Sequence, residues 1–301
     1  MKRQTGKREK MEMERAMRIW GRRDRQARFM VGLALLSFLY GALPAAAKGK
    51  AEAWHVESPW IIDPAGRVAI FHGVNMMNKQ APYLPSIGDA DIERVAGWGM
   101  NIVRFGIFWA ALEPEAGAFN EAYLAEVERF LDRFHAAGLF VLLDMHQDVY
   151  GEKYGGDGAP VWAAIDDGLP FRPKPFWGLD YFTRAVIRAF DNFWDDVPGP
   201  DGVGLQEHFA RNWRRVAERF RDHPALLGYD LFNEPYFGSH GFVTGKFERR
   251  YLQPFYERAI REIREVDDRN VVFYEPKITK DFGTRSQIGP MPFEKLGCAF
   301  H

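Results

Sequence analysis

Sulfur chemistry is almost absent from this chain. One cysteine, Cys298, in 301 residues excludes an intramolecular disulfide, so an exported form would rest on its apolar core alone. Also missing are a His-Glu-x-x-His zinc helix, a Gly-x-Ser-x-Gly nucleophile turn and a Gly-x-Gly-x-x-Gly dinucleotide turn, which argues against three large enzyme classes. No internal repeat or low-complexity tract interrupts the chain. Beyond residue 28 there is no basic stripe either. Residues 1–28 hold eleven Lys/Arg and four Asp/Glu, a balance of +7 in a chain of net charge −1, which leaves −8 for the remainder and argues against a nucleic-acid partner.

What is present begins with that basic leader. Phe29 to Ala47 then run without a charge and end in Pro44-Ala45-Ala46-Ala47, small residues suited to a signal peptidase. Residues 1–47 are expected to be a basic n-region plus signal peptide, making the protein secreted or periplasmic. The alternative is a membrane anchor through residues 29–47, since the run just reaches spanning length. Residues 48–301 form the folded body, 47% of the whole chain is hydrophobic, and 15% aromatic content favours stacking surfaces such as sugar or lipid sites.

Short apolar runs alternate with helical stretches, the pattern of a parallel sheet covered by helices. Six strands are expected: Val68–Val74, Asn101–Ile107, Leu139–Met145, Leu226–Phe232, Val271–Tyr274 and Gly297–Phe300. Phe209, Trp213, Val216 and Phe220 share one helical face, as do Leu252, Phe255, Tyr256, Ala259, Ile260 and Ile263. Asp89 is expected to cap one helix at its start, and Gly138 to close another just past its end. Between the third and fourth strands, roughly residues 147–225, lies an insert rich in Gly, Pro and aromatics. It is either a functional loop or a surface excursion with its own small core.

Polar residues gather where the strands end: Asn75, Arg104 with Trp109, then Asp144, His146 and Asp148, then Asn233 and Glu234, then Glu275, then His301. In a (β/α) barrel all these positions converge on one mouth. A doubly wound sheet would gather its site at one switch point instead. Taken singly, each residue has a structural reading: Arg104 as a core ion-pair arginine, His146 as a satisfied core histidine, Asp148 as a loop cap, Glu234 as a turn residue.

Jointly, His72-Gly73-Val74-Asn75, Val103-Arg104-Phe105-Gly106-Ile107-Phe108-Trp109, Leu143-Asp144-Met145-His146-Gln147-Asp148 and Phe232-Asn233-Glu234-Pro235 resemble glycoside hydrolase family 5, in its endoglycoceramidase-like branch. The resemblance covers about residues 55 to 301. It implies a TIM (β/α)8 barrel, with six of its eight strands in this chain, that hydrolyses β-glycosidic bonds with retention and without a cofactor. The substrate it implies is a carbohydrate or the oligosaccharide–ceramide bond of a glycolipid, with peripheral membrane contact and a monomeric full-length enzyme. On the same basis Glu234 would be the general acid/base, Asn233 a donor to the sugar 2-hydroxyl, and Arg104 the partner that keeps the nucleophile ionised. His146 and Asp148 would hold sugar hydroxyls, and His301 would stand at the end of strand six. Lys79 is the weaker candidate for a sugar contact, with plain solvent exposure as its other reading. A glycosidase acid needs its carboxyl shifted toward neutrality by burial or a neighbouring charge, and a barrel mouth offers both.

Retention also requires a second carboxylate, which in the family ends strand seven, after the last strand read here. Glu275, in Tyr274-Glu275-Pro276, is a poor substitute because the family pattern has a comparable glutamate in addition to its nucleophile. The expectation from the sequence as given is therefore a C-terminally truncated hydrolase that folds poorly alone or persists as a non-catalytic carbohydrate- or glycolipid-binding remnant. A cellulase- or mannanase-like polysaccharide hydrolase is the alternative for the intact enzyme.

Overall fold

The computed structural model of the protein describes residues 54–241 and 246–300. The leader and His301 lie outside them, as does residue 52, where the compact unit spanning residues 52–301 begins. Six parallel strands form one sheet: β3 Gly73–Met76, β4 Ile102–Ile107, β5 Phe140–Met145, β6 Leu226–Asp230, β7 Val271–Tyr274 and β8 Leu296–Cys298. Their spatial order is their sequence order, β3-β4-β5-β6-β7-β8, with no reversal. A doubly wound sheet is thereby excluded, because its order must reverse at a switch point. All the strand ends stand on one side, as in a TIM barrel.

The strands end sooner than the apolar runs suggest. Leu231 and Phe232 continue the run after β6 but lie past the ladder, and β3 starts at Gly73 where a strand from Val68 was expected. Val68 makes only an isolated bridge to Ile62. That bridge extends a hairpin of β1 His55–Glu57 and β2 Trp60–Ile62, too short to show the alternation that marks a strand in sequence. Trp54, beside the hairpin, packs edge-on against Phe140 at 5.0 Å, close to where β5 begins, and so covers the end of the sheet opposite the candidate site. Gly228 in β6 is required by crowding, since a Cβ there would stand 1.9 Å from the carbonyl oxygen of Val271.

Helices cover the outer face: α1 Asp89–Gly97, α2 Trp109–Leu112, α3 Glu121–Ala136, α4 Arg184–Trp194, α5 Leu205–Phe220 and α6 Gln253–Arg264. The apolar faces read from the sequence are buried in α5 and α6. Gly138 follows α3 with φ +75°, the left-handed residue expected there. Asp89 is corrected by one position. The cap of α1 is Gly88, whose N–H donates to the Asp91 carboxylate at 3.0 Å, so Asp89 is the first helical residue. None of the helices among the described residues is long and apolar enough to cross a membrane.

The insert after β5 packs much of its aromatic content inward. Tyr150, Tyr181, Phe190, Phe193 and Trp194 form an aromatic core continuous with Phe209, Phe232 and Phe255, and α4 lies within it. Phe176, Trp177, Leu179 and Phe182 are left outside that core.

Candidate active site

The strand register carries the site. Asn75 of β3 stands beside Arg104 of β4, and Asp144 of β5 beside Asp230 of β6. Side chains of alternate strand residues share a face, and Arg104 extends into the ring of carboxylates this produces. Its Nε donates to Asp230 at 3.0 Å, and its Nη2 lies 2.9 Å from Asp144, 2.9 Å from Glu275 and 3.1 Å from the Asn233 side-chain oxygen. Burial alone would weaken the guanidinium's hold on its proton; the surrounding Asp144, Asp230 and Glu275 reverse that and raise its pKa. Asp230 shows the opposite balance. Full burial, then the charge of Glu275, raises its carboxyl pKa well above the usual range despite Arg104.

His146, the residue after β5, donates from Nδ1 to the Asp144 carboxylate at 2.7 Å. Burial would depress its pKa, but the Asp144 charge and hydrogen bonds to Asp144 and Asp148 hold it up, to about 9. Arg104 pairs with all three carboxylates and His146 with Asp144, so the ring does not stand as a large uncompensated buried charge.

Glu234 follows Asn233, three residues past the Leu231 of the strand run, in a backbone conformation with φ +45°. For a non-glycine residue that conformation is strained and persists only where surrounding bonds impose it. Here they do. The Glu234 N–H donates to Glu275 Oε2 at 2.7 Å, Gln147 Nε2 donates to the carbonyl oxygens of both Asn233 (3.0 Å) and Glu234 (3.2 Å), and the Asn233 N–H donates to Met145 at 3.1 Å. On the far side, Trp194 Nε1 donates to the Tyr236 carbonyl at 2.8 Å. The Glu234 side chain is half-buried and lines a cleft of about 400 Å³.

Asn75, Met77, Lys79, His146, Asp148 and Trp177 line the same cleft, with Arg104 and Asn233. Lys79 is therefore more than a solvent-exposed lysine: its ammonium group pairs with the Asp148 carboxylate. Burial works against its charge, but Asp148, Asp157 and Glu234 outweigh it and raise its pKa. Asp148 is opposed by burial too, and His146 and Lys79 bring its pKa below the usual range. His146, Asp148 and Asp157 offer ligand atoms that all lie within 4.8 Å of one another, a spacing that would suit a metal ion. Lys79 reaches the same spot through its pairing with Asp148.

Thus Glu234, Asn233, Arg104, His146, Asp148 and Lys79 are brought together, while His301 lies outside the described residues. Trp109 is corrected: it sits in α2, buried against Phe193 and Phe209, with Nε1 donating to Glu113 at 2.9 Å, and faces away from the cleft. Glu275 stands behind Glu234 as a backbone support. Sequence reasoning did not single out Gln147, Asp157 or Asp230. Gln147 sits within a motif already recognised, Asp230 only within the apolar strand run Leu226–Phe232, and Asp157 is announced only by its glycine neighbours, Gly156 and Gly158.

Comparison with known proteins agrees with this geometry. Residues 63–301 match the family model of Cellulase (glycosyl hydrolase family 5). An endoglycoceramidase of Cyanea nozakii is 30% identical over 254 residues, covering 73% of this chain and 50% of that protein. Endoglycoceramidase I of Rhodococcus hoagii (strain 103S) is 33% identical over 227 residues, covering 73% and 45%. Among solved structures, endo-glycoceramidase II from Rhodococcus sp. superposes with a TM-score of 0.74 at 38% identity, over 79% of this chain and 57% of that one. The same enzyme has been solved as a ganglioside GM3 complex, with a TM-score of 0.73 at 36% identity. The chain spans about half the length of the curated relatives it matches.

Proposed function

Because the chain belongs to glycosyl hydrolase family 5, we propose that it is part of a retaining β-glycosidase mechanism acting on a glycolipid, with Glu234 as general acid and base. The observation that carries this reading is the fixing of a strained Glu234 backbone by Gln147 and Glu275 while its carboxyl faces an open cleft. Catalytic groups are held in such conformations when the surrounding structure gains from their exact aim.

In the proposed reaction the Glu234 carboxyl gives its proton to the glycosidic oxygen as the bond to the anomeric carbon breaks. It later takes a proton from the water that attacks the glycosyl-enzyme intermediate. Asn233 uses Nδ2 toward Gln147 at 3.1 Å, which leaves its second amide hydrogen for a sugar 2-hydroxyl. His146, Asp148 and Lys79 form a charged clamp for further hydroxyls. Arg104 organises the carboxylates beneath.

Retention needs a second carboxylate about 5–5.5 Å from the first. Among the described residues Glu275 is the neighbour, but its Oε1 accepts from Arg104 and its Oε2 from the Glu234 N–H. We assign it a supporting role and look for the nucleophile outside the described residues. Exposed Trp177 lines the cleft, and the exposed Phe176, Leu179 and Phe182 lie close to it in the chain. They favour a substrate with an apolar aglycone over a β-glucan or mannan chain.

The test is to incubate the purified protein with a fluorescent ganglioside and, separately, with carboxymethylcellulose. Release of an intact oligosaccharide from the ganglioside supports the reading. Reducing ends from the polysaccharide alone would replace the glycolipid with a glucan. Sugar-dependent thermal stabilisation without any turnover would make the chain a binding protein.

A further inference from the structure

Directly after Asp148 the backbone enters the left-handed region twice in succession, at Val149 (φ +53°) and Tyr150 (φ +74°). A β-branched residue rarely adopts that conformation, because its Cβ crowds the neighbouring carbonyl. Such a turn persists only where bonds from the surrounding structure impose it. Both residues are buried, so water does not supply those bonds. The Val149 N–H donates instead to the Tyr181 hydroxyl at 2.9 Å, across 32 positions of sequence. The Tyr150 N–H donates to Gln147 Oε1 at 3.0 Å, and the Tyr150 hydroxyl to the Ala163 carbonyl at 2.8 Å.

This turn decides where the Gln147 amide points. Its oxygen accepts from Tyr150, and its nitrogen reaches the carbonyls of Asn233 and Glu234. Asp148 is pinned separately, by reciprocal backbone bonds to Asp157 at 3.0 Å each, so relaxation of the turn falls on Gln147 rather than on the Asp148 clamp. Tyr181 belongs to the short helical turn Trp177–Phe182 of the aromatic insert, and packing leaves it little freedom to follow. Its ring is 5% exposed, stacks on Phe190 with centroids 6.1 Å apart and lies 5.0 Å from Tyr236, two residues past Glu234.

From these observations we propose that Tyr181 is a positioning residue for the hydrolysis: its hydroxyl holds the strained Val149–Tyr150 turn, and the turn fixes Gln147 and with it the aim of Glu234. The aromatic insert thereby takes part in catalysis without touching the reacting atoms. Removing the hydroxyl leaves the buried Val149 N–H without its acceptor, and the turn then relaxes toward an unstrained conformation that carries Gln147 away from Glu234. The catalytic consequence rests on the acid/base role proposed for Glu234, whereas the mechanical link from Tyr181 to Glu234 stands on geometry alone and is read separately.

The test compares Tyr181→Phe with Tyr229→Phe in the full chain. Each removes one buried hydroxyl, but that of Tyr229 bonds Asp267 at 2.6 Å, before β7 begins and so at the end of the sheet opposite the cleft. Both variants should lower Tm. Peptide-level hydrogen exchange should quicken severalfold over residues 147–151 and 233–236 in Tyr181→Phe, while Tyr229→Phe leaves both segments at wild-type rates. On an aryl glycoside, kcat of Tyr181→Phe should fall about tenfold with KM within about twofold, because a reacting group has lost its aim. Adding Tyr181→Phe to Gln147→Leu should cost nothing further in kcat, since the two act through one path. Unchanged exchange over 233–236 in Tyr181→Phe would overturn the proposal, as would an undiminished kcat or losses that add in the double variant. Equal quickening of both segments in Tyr229→Phe would also overturn it, reducing Tyr181 to a core residue like any other. Coupled exchange in a chain without turnover would keep the mechanical link and remove the proposed activity, and turnover without coupled exchange would do the reverse.

Discussion

Gln147 and Asn233 hold each other reciprocally. Gln147 Nε2 donates to the Asn233 carbonyl at 3.0 Å, and Asn233 Nδ2 donates to the Gln147 carbonyl at 3.1 Å. Through the same Nε2, Gln147 also reaches the Glu234 carbonyl at 3.2 Å. One amide side chain thereby ties the end of β5 to the residue proposed as the acid. Gln147→Leu should leave buried carbonyls unsatisfied at a cost of about 1–3 kcal/mol, and kcat should fall by roughly tenfold or more with KM nearly unchanged, because aim is lost rather than affinity. Kinetics on a soluble aryl glycoside would check it; a KM effect alone would assign Gln147 to substrate binding.

Arg104 neutralises a buried ring in which removing one partner strands the others. Arg104→Met should cost about 3–5 kcal/mol, the penalty of an uncompensated buried charge. Arg104→Lys should recover only part of it, because a single ammonium cannot reach Asp230, Asn233 and Glu275 at once. Urea midpoints of the two variants decide this, and a Lys variant as stable as wild type would contradict it.

Asp157 supplies a pH dependence. Burial raises its carboxyl pKa to about 7, with His146 and Lys79 opposing and Asp148 assisting. Its Oδ1 is buried without a hydrogen bond among the described residues. Because the folded value lies above the ordinary one, the stability that protonation confers is full below about pH 4 and lost as pH rises through about 7. Asp157→Asn cannot ionise, so its stability relative to wild type should improve by about 2–3 kcal/mol between about pH 5 and pH 8, several degrees in Tm. Thermal melts across that range test the sign, and a difference independent of pH would show that Asp157 is ionised throughout.

Much of this site was legible because the strands are so plainly apolar. A guanidinium in Val103-Arg104-Phe105 or a carboxylate in Leu143-Asp144-Met145 has no reason to lie in a buried strand unless a partner waits there. The partners were harder to read. Asp230 meets Arg104 across 126 positions and Lys79 meets Asp148 across 69, and neither pairing leaves a local period. The α4 helix had the spacing, with Val186, Ala189, Phe190 and Phe193 on one face, but it lay inside a Gly- and Pro-rich insert that read as loop. Trp109 misled because a strand-end position in sequence does not say whether the side chain turns to the mouth or, as here, into the core.

The most direct test of the account is azide rescue of Glu234→Ala. An acid/base role predicts that hydrolysis of the glycolipid falls by about 10²–10⁴-fold, while an aryl glycoside with a good leaving group still forms the glycosyl-enzyme, and azide restores its turnover as the β-glycosyl azide. Loss of activity that is the same for every leaving group and is not rescued by azide would contradict it.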